Sequence, residues 1–334
     1  MKKISVNLLL LILFLAACSK EKESEHLIIA FGSCSKQYEH QPFWQEMMEH
    51  NPDLFIWLGD NVYADTYDMR QMARIYQEQL DNAEYQAFTS IIPVIGIWDD
   101  HDYGMNDAGK YYPKKDSSKM LMMDFLQVPE DSPRRQREGA YESYNYNFAD
   151  KTIKIILLNT RYFRDSLQKS EERGRKYEPR ETGTILSEQQ WQWLATELNN
   201  PGDINIIGSS IQVISQDHGW EKWHNFPHER ERLFNLIAES NTPNVFFISG
   251  DRHIAETSKL QWPELDYPLF DITSSGLTHT WTHAADEPNQ HRVDSLVAKL
   301  NYGLIKISKQ DDKLSVAVDI RGEDEALYLQ HALF

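Results

Sequence analysis

The sequence predicts an α/β protein of the mixed (α+β) kind, a β-sandwich with helices on its outer faces. Six short apolar runs, each ended by a turn signal, have the length and composition of buried strands. Segments with helical spacing lie between several of these runs, and two further segments alternate in polarity around a turn, as β-hairpins do. Because hairpins are mixed with the strand–helix pattern, a simple doubly wound sheet is not expected.

The N-terminal segment predicts export and a lipid anchor. Residues 1–17 have the form of a signal peptide, with two lysines before an apolar run over residues 8–15 that is too short to span a membrane. The segment LAAC resembles the lipobox of bacterial lipoproteins, in which the cysteine, here Cys18, is lipidated. Residues 18–26 then form a charged tether, and acyl chains hold the protein on the periplasmic or cell-surface side of a membrane. In the alternative interpretation, Cys18 is incidental to the signal peptide.

The acidic composition argues against nucleic acid as a partner. The net charge is −17, and removal of two lysines with the signal peptide takes it to −19. Such a surface repels the phosphates of DNA and RNA. With Cys18 lipidated, Cys34 is a lone thiol in an exported protein, either a small buried hydrophobe or a metal-binding thiolate.

The predicted elements follow one another along the chain with little linker between them. Strands are predicted over residues 26–31, 53–58, 91–98, 151–158, 204–208 and 244–249. Helices are predicted over residues 43–50, 69–80, 187–198 and 227–240. The hairpins turn at residues 149–150 and 310–312, and long surface loops are predicted over residues 105–137 and 165–184.

Each predicted strand is followed at its carboxyl end by polar residues that can bind a metal or act in catalysis. In α/β sheets this is the edge where ligands bind. Several buried carboxylates at one edge must be protonated or find a cation, so their convergence with Cys, Tyr and His predicts a metal site. Carboxylate oxygens suit hard cations such as Ca²⁺ or Mg²⁺, whereas thiolate, phenolate and imidazole suit a transition ion such as iron. The mixture predicts unlike metals side by side, bridged by a shared aspartate.

Three motifs resemble the alkaline phosphatase D (PhoD-like) family of the calcineurin-like metallophosphoesterase superfamily. They are GDNVY at 59–63, WDDHDYG at 98–104 and SGDRH at 249–253, and the segments FGSC, NTRYFR and DITSSGLTHTW agree in order and spacing. The resemblance implies a single domain over residues 27–334 with a four-layer α/β/β/α metallophosphoesterase sandwich. It also implies hydrolysis of phosphomonoesters, and often phosphodiesters, with iron (Fe³⁺) and calcium (Ca²⁺) as cofactors.

The resemblance further implies a set of metal ligands: Cys34, Asp60, Tyr63, Asp100, Asp251 and His253. In this set Asp60 bridges the two ions, Cys34 and Tyr63 bind iron, and Asp100 binds calcium. The ions lower the pKa of a bound water and stabilise in-line displacement at phosphorus.

Two catalytic residues are implied in the same way. His101 lies over the phosphate or the leaving group as an acid or a stabiliser of the transition state, and Arg161 clamps the phosphoryl oxygens by paired hydrogen bonds. Asp99 assists the ligand Asp100. Asn159 stands where many relatives have aspartate, which puts the orientation of Arg161 in doubt.

Structural alternatives stay open for these residues, since Asp60 would also suit a plain turn and Tyr63 a core position. Trp220 and Trp223 either pack or stack on a substrate, and His279 is a candidate to line the pocket. Three functions remain: a membrane-anchored metallophosphoesterase, a narrower phosphodiesterase acting on phospholipid or polymer, and a lipoprotein that binds phosphorylated or glycan ligands without turnover. The oligomeric state is not predicted.

Overall fold

The computed structural model describes residues 26–284 and 287–334, which contain two large β-sheets. The predicted signal peptide, Cys18 and the predicted tether up to residue 25 lie outside the described residues. Within the described part of the chain, no helix is long and apolar enough to cross a membrane.

The strands and helices are numbered in chain order. The described residues contain fifteen strands: β1 (His26–Gly32), β2 (Leu54–Leu58), β3 (Val94–Ile97), β4 (Glu142–Phe148), β5 (Lys151–Leu157), β6 (Gln168–Lys169), β7 (Tyr177–Glu178), β8 (Ile204–Ser209), β9 (Val245–Ser249), β10 (Ala255–Leu260), β11 (Leu269–Ser274), β12 (Arg292–Val297), β13 (Tyr302–Gln310), β14 (Lys313–Arg321) and β15 (Leu327–Ala332). The same residues contain eight α-helices: α1 (Phe43–Glu49), α2 (Met69–Leu80), α3 (Ala83–Thr89), α4 (Asp100–Tyr103), α5 (Lys115–Phe125), α6 (Pro133–Gln136), α7 (Glu188–Leu198) and α8 (Pro227–Glu239).

Both large sheets combine a parallel centre with antiparallel edges. The first has the order β15-β14-β13-β1-β2-β3, with β1, β2 and β3 parallel and β13 antiparallel to β1. The second has the order β12-β10-β11-β9-β8-β5-β4, with β5, β8, β9 and β11 parallel. The parallel strands therefore deliver their carboxyl ends to one edge of each sheet.

Side chains alternate across each central strand, and this alternation builds four layers. In β2, Leu54, Ile56 and Leu58 face the core between the sheets, while Phe55 and Trp57 face α1, α2, α3 and α5. The outer face of the second sheet packs on α7 and α8 in the same way. The predicted four-layer α/β/β/α sandwich is confirmed.

The six predicted strands, the four predicted helices and the two hairpins are confirmed, with boundaries that shift by a few residues. The predicted loop over residues 105–137 is wrong in part, because it contains α5 and α6. Met122, Met123 and Phe125 of α5 are buried against the first sheet. The polar residues around this short apolar stretch hid its helical spacing.

The core between the sheets predicts a clear contrast between two isoleucines. Ile206 of the central strand β8 is fully buried, whereas Ile91 has 70% of its side chain exposed. We expect Ile206→Ala to lower the free energy of unfolding by about 2–5 kcal/mol, because it removes buried methyl groups and leaves a cavity. Ile91→Ala is the control and should change it by less than about 0.5 kcal/mol. Denaturant unfolding followed by circular dichroism measures both, and equal effects would contradict this core.

Candidate metal centre

The predicted ligands lie at the carboxyl ends of β1, β2, β3 and β9, and four of them adopt a strained backbone. The φ angles of Cys34, Asp60, Asp251 and His253 are 62°, 49°, 67° and 53°. These values lie in the left-handed region, which residues other than glycine rarely occupy. Such strain clusters at ligand sites, where the surrounding structure holds it in place. It turns these side chains away from the strand direction and towards one another.

Two glycines allow the strand ends to approach. A Cβ on Gly59, whose φ is +99°, would lie 2.4 Å from the Cβ of Asp99. A Cβ on Gly250 would lie 2.6 Å from Ser33 Oγ and 2.7 Å from the carbonyl oxygen of Leu58. Only glycine fits at either point, so both motifs that carry an aspartate after a glycine do so for steric reasons.

One group of donors combines sulfur, oxygen and nitrogen. Donor atoms of Cys34, Asp60 and His253 all lie within 4.8 Å of one another. The Tyr63 hydroxyl lies 3.2 Å from Asp60 Oδ2 and 3.0 Å from His253 Nε2. It also lies 3.0 Å from His279 Nε2, which brings His279 to the edge of this group. These donor types suit a transition ion.

A second group consists of carboxylates. Donor oxygens of Asp99, Asp100 and Asp251 lie within 4.8 Å of one another, and Asp60 forms a further group with Asp100 and His101. Asp60 therefore shares one group with Cys34 and His253 and another with Asp100, and its role as a bridging ligand stays a prediction. Asp100 Oδ1 is buried and has no hydrogen-bond partner within the described residues. Oxygen donors of this kind suit a hard divalent cation.

The acidic groups strain the centre electrostatically when no cation balances them. Burial, with the neighbouring Cys34, raises the pKa of Asp60 well above its usual value, and burial with Asp99 does the same for Asp251. Burial raises the pKa of Cys34 to about 12. Cations would remove this cost and let the groups ionise. The residues present therefore fit a metal centre with two ions.

His101 is positioned by a residue that the sequence analysis missed. Its ring lies 4.2 Å from the Tyr63 ring, measured between centroids, and its Nδ1 lies 2.6 Å from Asp65 Oδ2. Burial alone would lower the pKa of His101, but Asp60 and Asp100 outweigh burial and raise it to about 10. Without bound cations, the two carboxylates thus favour the protonated form of His101. The signal for Asp65 was its place two residues after Tyr63 in the same loop.

Arg161 pairs with buried carboxylates next to the candidate metal centre. Its guanidinium is fully buried and bonds both oxygens of Asp99, with both distances 2.6 Å. Its third nitrogen donates to Glu221 at 2.6 Å, and its approach to Asp251 is 4.0 Å. The predicted role of Arg161 as a phosphoryl clamp does not fit this geometry, because its donors are already engaged away from solvent. Asn159 Oδ1 accepts from the Trp98 indole at 2.8 Å and supports the turn before Arg161.

Asp102 joins two of the loops that carry ligands. Its carboxylate accepts hydrogen bonds from the backbone N–H of Asp60, Asn61 and Asp99, at 3.2, 3.3 and 2.7 Å. Burial raises its pKa to about 8. Asp102 belongs to the WDDHDYG motif, but the sequence predicts no role for it.

The centre opens into a cleft of about 120 Å³. Its floor includes Asp60, Asp100 and His253, and its walls include Trp220 and Trp281. Trp223, by contrast, is fully buried and packs in the core. Packing therefore applies to Trp223, and stacking on a substrate stays open for Trp220.

Comparisons with known proteins agree with this fold. A family model described as PhoD-like phosphatase matches residues 29–299. The chain is 24% identical over 280 residues to alkaline phosphatase D of Bacillus subtilis (strain 168), covering 70% of this chain and 47% of that protein. The chain thus spans about half the length of this curated relative.

Two solved structures share the fold at low sequence identity. A structure of PhoD superposes with a TM-score of 0.73 at 16% identity, covering 93% of this chain and 72% of that one. A dimetal phosphatase from Danio rerio superposes with a TM-score of 0.55 at 14% identity, covering 92% of this chain and 98% of that one.

The geometry of Arg161 predicts that its loss destabilises the protein. Arg161→Met leaves Asp99 as a buried carboxylate without its cation and leaves Glu221 paired with Arg164 alone, and breaking such a buried pair typically costs about 3–5 kcal/mol. We expect the melting temperature to fall by about 4–7 °C. Differential scanning calorimetry of the metal-loaded protein measures this.

Arg232→Met is the matched control, because it removes an exposed ion pair with Glu188 and should shift the melting temperature by less than about 2 °C. A variant of Arg161 with unchanged stability and a raised KM for a phosphate ester would restore the phosphoryl clamp instead.

Proposed function

The chain belongs to the PhoD-like phosphatase family, and from this we propose that it is a metal-dependent phosphoesterase that hydrolyses phosphate esters outside the cytoplasm. The observation that carries the proposal is the convergence of Cys34, Asp60, Tyr63 and His253 with a second, carboxylate group at one cleft. A thiol, a phenol, an imidazole and several buried acids rarely meet except around cations.

We propose iron for the mixed group and calcium for the carboxylates, with Asp60 between the two. Cys34, Tyr63 and His253 offer the softer donors, while Asp100 and Asp251 offer oxygen. When bound, such ions polarise phosphoryl oxygens and lower the pKa of a coordinated water, which supplies a nucleophile near neutral pH.

The charges lining the cleft support dependence on metal. The lysine and the arginine that line it are both ion-paired, Lys176 with Asp107 and Arg252 with Glu287. Asp60, with its neighbouring carboxylates, would otherwise repel an anionic ester from the floor. Cations held by these carboxylates would reverse the sign of that field, so that a phosphoryl group could approach.

His101 is suited to act on the leaving group. In the hydrolysis, the oxygen of water forms a bond to phosphorus, the bond to the ester oxygen breaks, and the electron pair stays on that oxygen. A proton on His101 Nε2 can pass to this oxygen, because Asp65 holds the opposite nitrogen, Nδ1, at 2.6 Å. The net reaction consumes one water and releases an alcohol and a phosphate.

The proposed activity is tested with p-nitrophenyl phosphate and its bis ester, assayed with added calcium and after chelation. We expect Asp60→Asn to lower kcat/KM by at least about 100-fold, since even residues outside the ligand shell cost 10–100-fold when lost. Elemental analysis should show loss of bound metal, and circular dichroism should show a retained fold.

Asp131→Asn is the control, because Asp131 is an exposed acid of the same size. Turnover by Asp60→Asn at the rate of the unaltered protein would remove Asp60 from the centre. Hydrolysis of neither ester, with metal content near zero in the unaltered protein, would favour a lipoprotein that binds phosphorylated or glycan ligands without turnover.

We also propose that acyl chains on Cys18 anchor the protein on the periplasmic or cell-surface side of a bacterial membrane. The support is the lipobox-like LAAC segment followed by a charged stretch. A phosphoesterase held there would meet esters outside the cytoplasm.

The anchor predicts opposite behaviour for the two cysteines of the sequence. Cys18→Ser should move the expressed protein from the detergent-extractable membrane fraction to the aqueous fraction and abolish incorporation of labelled palmitate. Cys34→Ser, which alters the candidate metal centre, should leave both unchanged. Membrane association of Cys18→Ser equal to that of the unaltered protein would refute the lipid anchor.

A further inference from the structure

We infer that Trp220 and Trp281 form a platform that recognises a planar aromatic group attached to the phosphoryl group of the substrate, as in an aryl or a nucleoside ester. The inference rests on the proposed function and narrows its substrate class. Both tryptophans line the cleft that contains Asp60, Asp100 and His253. A phosphoryl group at the metal centre would therefore place its ester substituent beside the two rings.

The two rings form an open angle. Their centroids lie 4.3 Å apart and their planes meet at 59°, and both side chains are only partly buried. Trp220 donates its indole N–H to Glu287 Oε1 at 2.8 Å, which satisfies its polar atom and fixes the ring orientation. On this side of the cleft, the surface available to a ligand consists of the apolar faces of the two rings, and flat π systems stack on such faces.

Both rings are tied to the candidate metal centre through the chain. The backbone N–H of Trp281 donates to the carbonyl oxygen of His253 at 2.8 Å. Trp220 directly precedes Glu221, whose carboxylate holds Arg161 at 2.6 Å. The distance from the metal ligands to the platform is therefore set by hydrogen bonds and not by a flexible loop alone.

The charges around the platform favour a neutral ring over a cationic ligand. Arg252 lies 5.8 Å from the Trp220 ring centroid and is paired with Glu287 at 2.5 Å. A positively charged headgroup, which aromatic walls otherwise attract, would meet this guanidinium. An aromatic ring carries no such penalty.

The test compares two competitors that share the same phosphoryl linkage. Adenosine 5′-monophosphate carries adenine at the carbon where ribose 5-phosphate carries its anomeric hydroxyl, so the ratio of their competition reports recognition of the base. Each is used as a competitor of p-nitrophenyl ester hydrolysis by the metal-loaded protein. We expect the nucleotide to compete about tenfold better, the scale of base–aromatic stacking. Trp220→Ala and Trp281→Ala should each reduce this ratio towards one.

Three controls make the result specific. Trp262→Ala removes a partly buried tryptophan that packs on Phe234, away from the cleft, and should keep the tenfold ratio. Trp281→Phe retains an aromatic face and should keep most of it. Ribose 5-phosphate should compete equally well with all variants, since the metal ligands are unaltered.

Equal competition by the two compounds in the unaltered protein, or a ratio that survives both alanine variants, would overturn the platform while leaving the phosphoesterase intact. Absence of hydrolysis of any ester would instead count against the proposed function. In that case quenching of tryptophan fluorescence by the same two compounds still decides the platform, because it requires binding and no turnover.

Discussion

The structure depends on one electrostatic constraint, the convergence of buried acidic groups at the carboxyl ends of parallel strands. Asp60, Asp100 and Asp251 come from three different strand ends. Donor oxygens of Asp100 lie within 4.8 Å of Asp60 in one group and of Asp251 in another, and Asp60 lies beside the thiol of Cys34. Like charges at this distance in a dry environment repel strongly. Burial first, and then the neighbouring acidic groups, raise the pKa values of Asp60 and Asp251. Cations are the simplest partners that let such groups ionise together.

Two supports below the centre keep the acids in place. Arg161 forms ion pairs with Asp99 and Glu221, and Glu221 also pairs with Arg164 at 2.7 Å. The Asp102 carboxylate accepts hydrogen bonds from backbone N–H groups of the loops after β2 and β3. A buried guanidinium among carboxylates costs desolvation energy and is retained where geometry must be fixed. The same network ends at Trp220, so support of the metal ligands and the shape of the cleft wall are physically linked.

The fold was predictable wherever apolar residues recur in a simple period. The central strands read as apolar runs because sheets and helices cover both of their faces, and β2 is fully buried. Strand β10 was missed, since polar residues such as Glu256 and Thr257 are buried there among hydrogen-bonding partners and give no apolar run. Helix α5 was hidden by the polar residues around Met122. Tertiary partners override local patterns in these elements.

The sequence by itself determined which donor types are present and which strands, in order along the chain, precede them. Glycines before Asp60 and Asp251 mark turns, and the turns follow apolar runs, so local patterns were enough. Only the tertiary structure decided which partner each charged group finds. It engaged Arg161 with carboxylates, set Asp65 behind His101 and brought Trp281 to the cleft. The reason is physical: a side chain's type is local, but its neighbours come from strands distant in sequence, whose register is set by packing the two sheets.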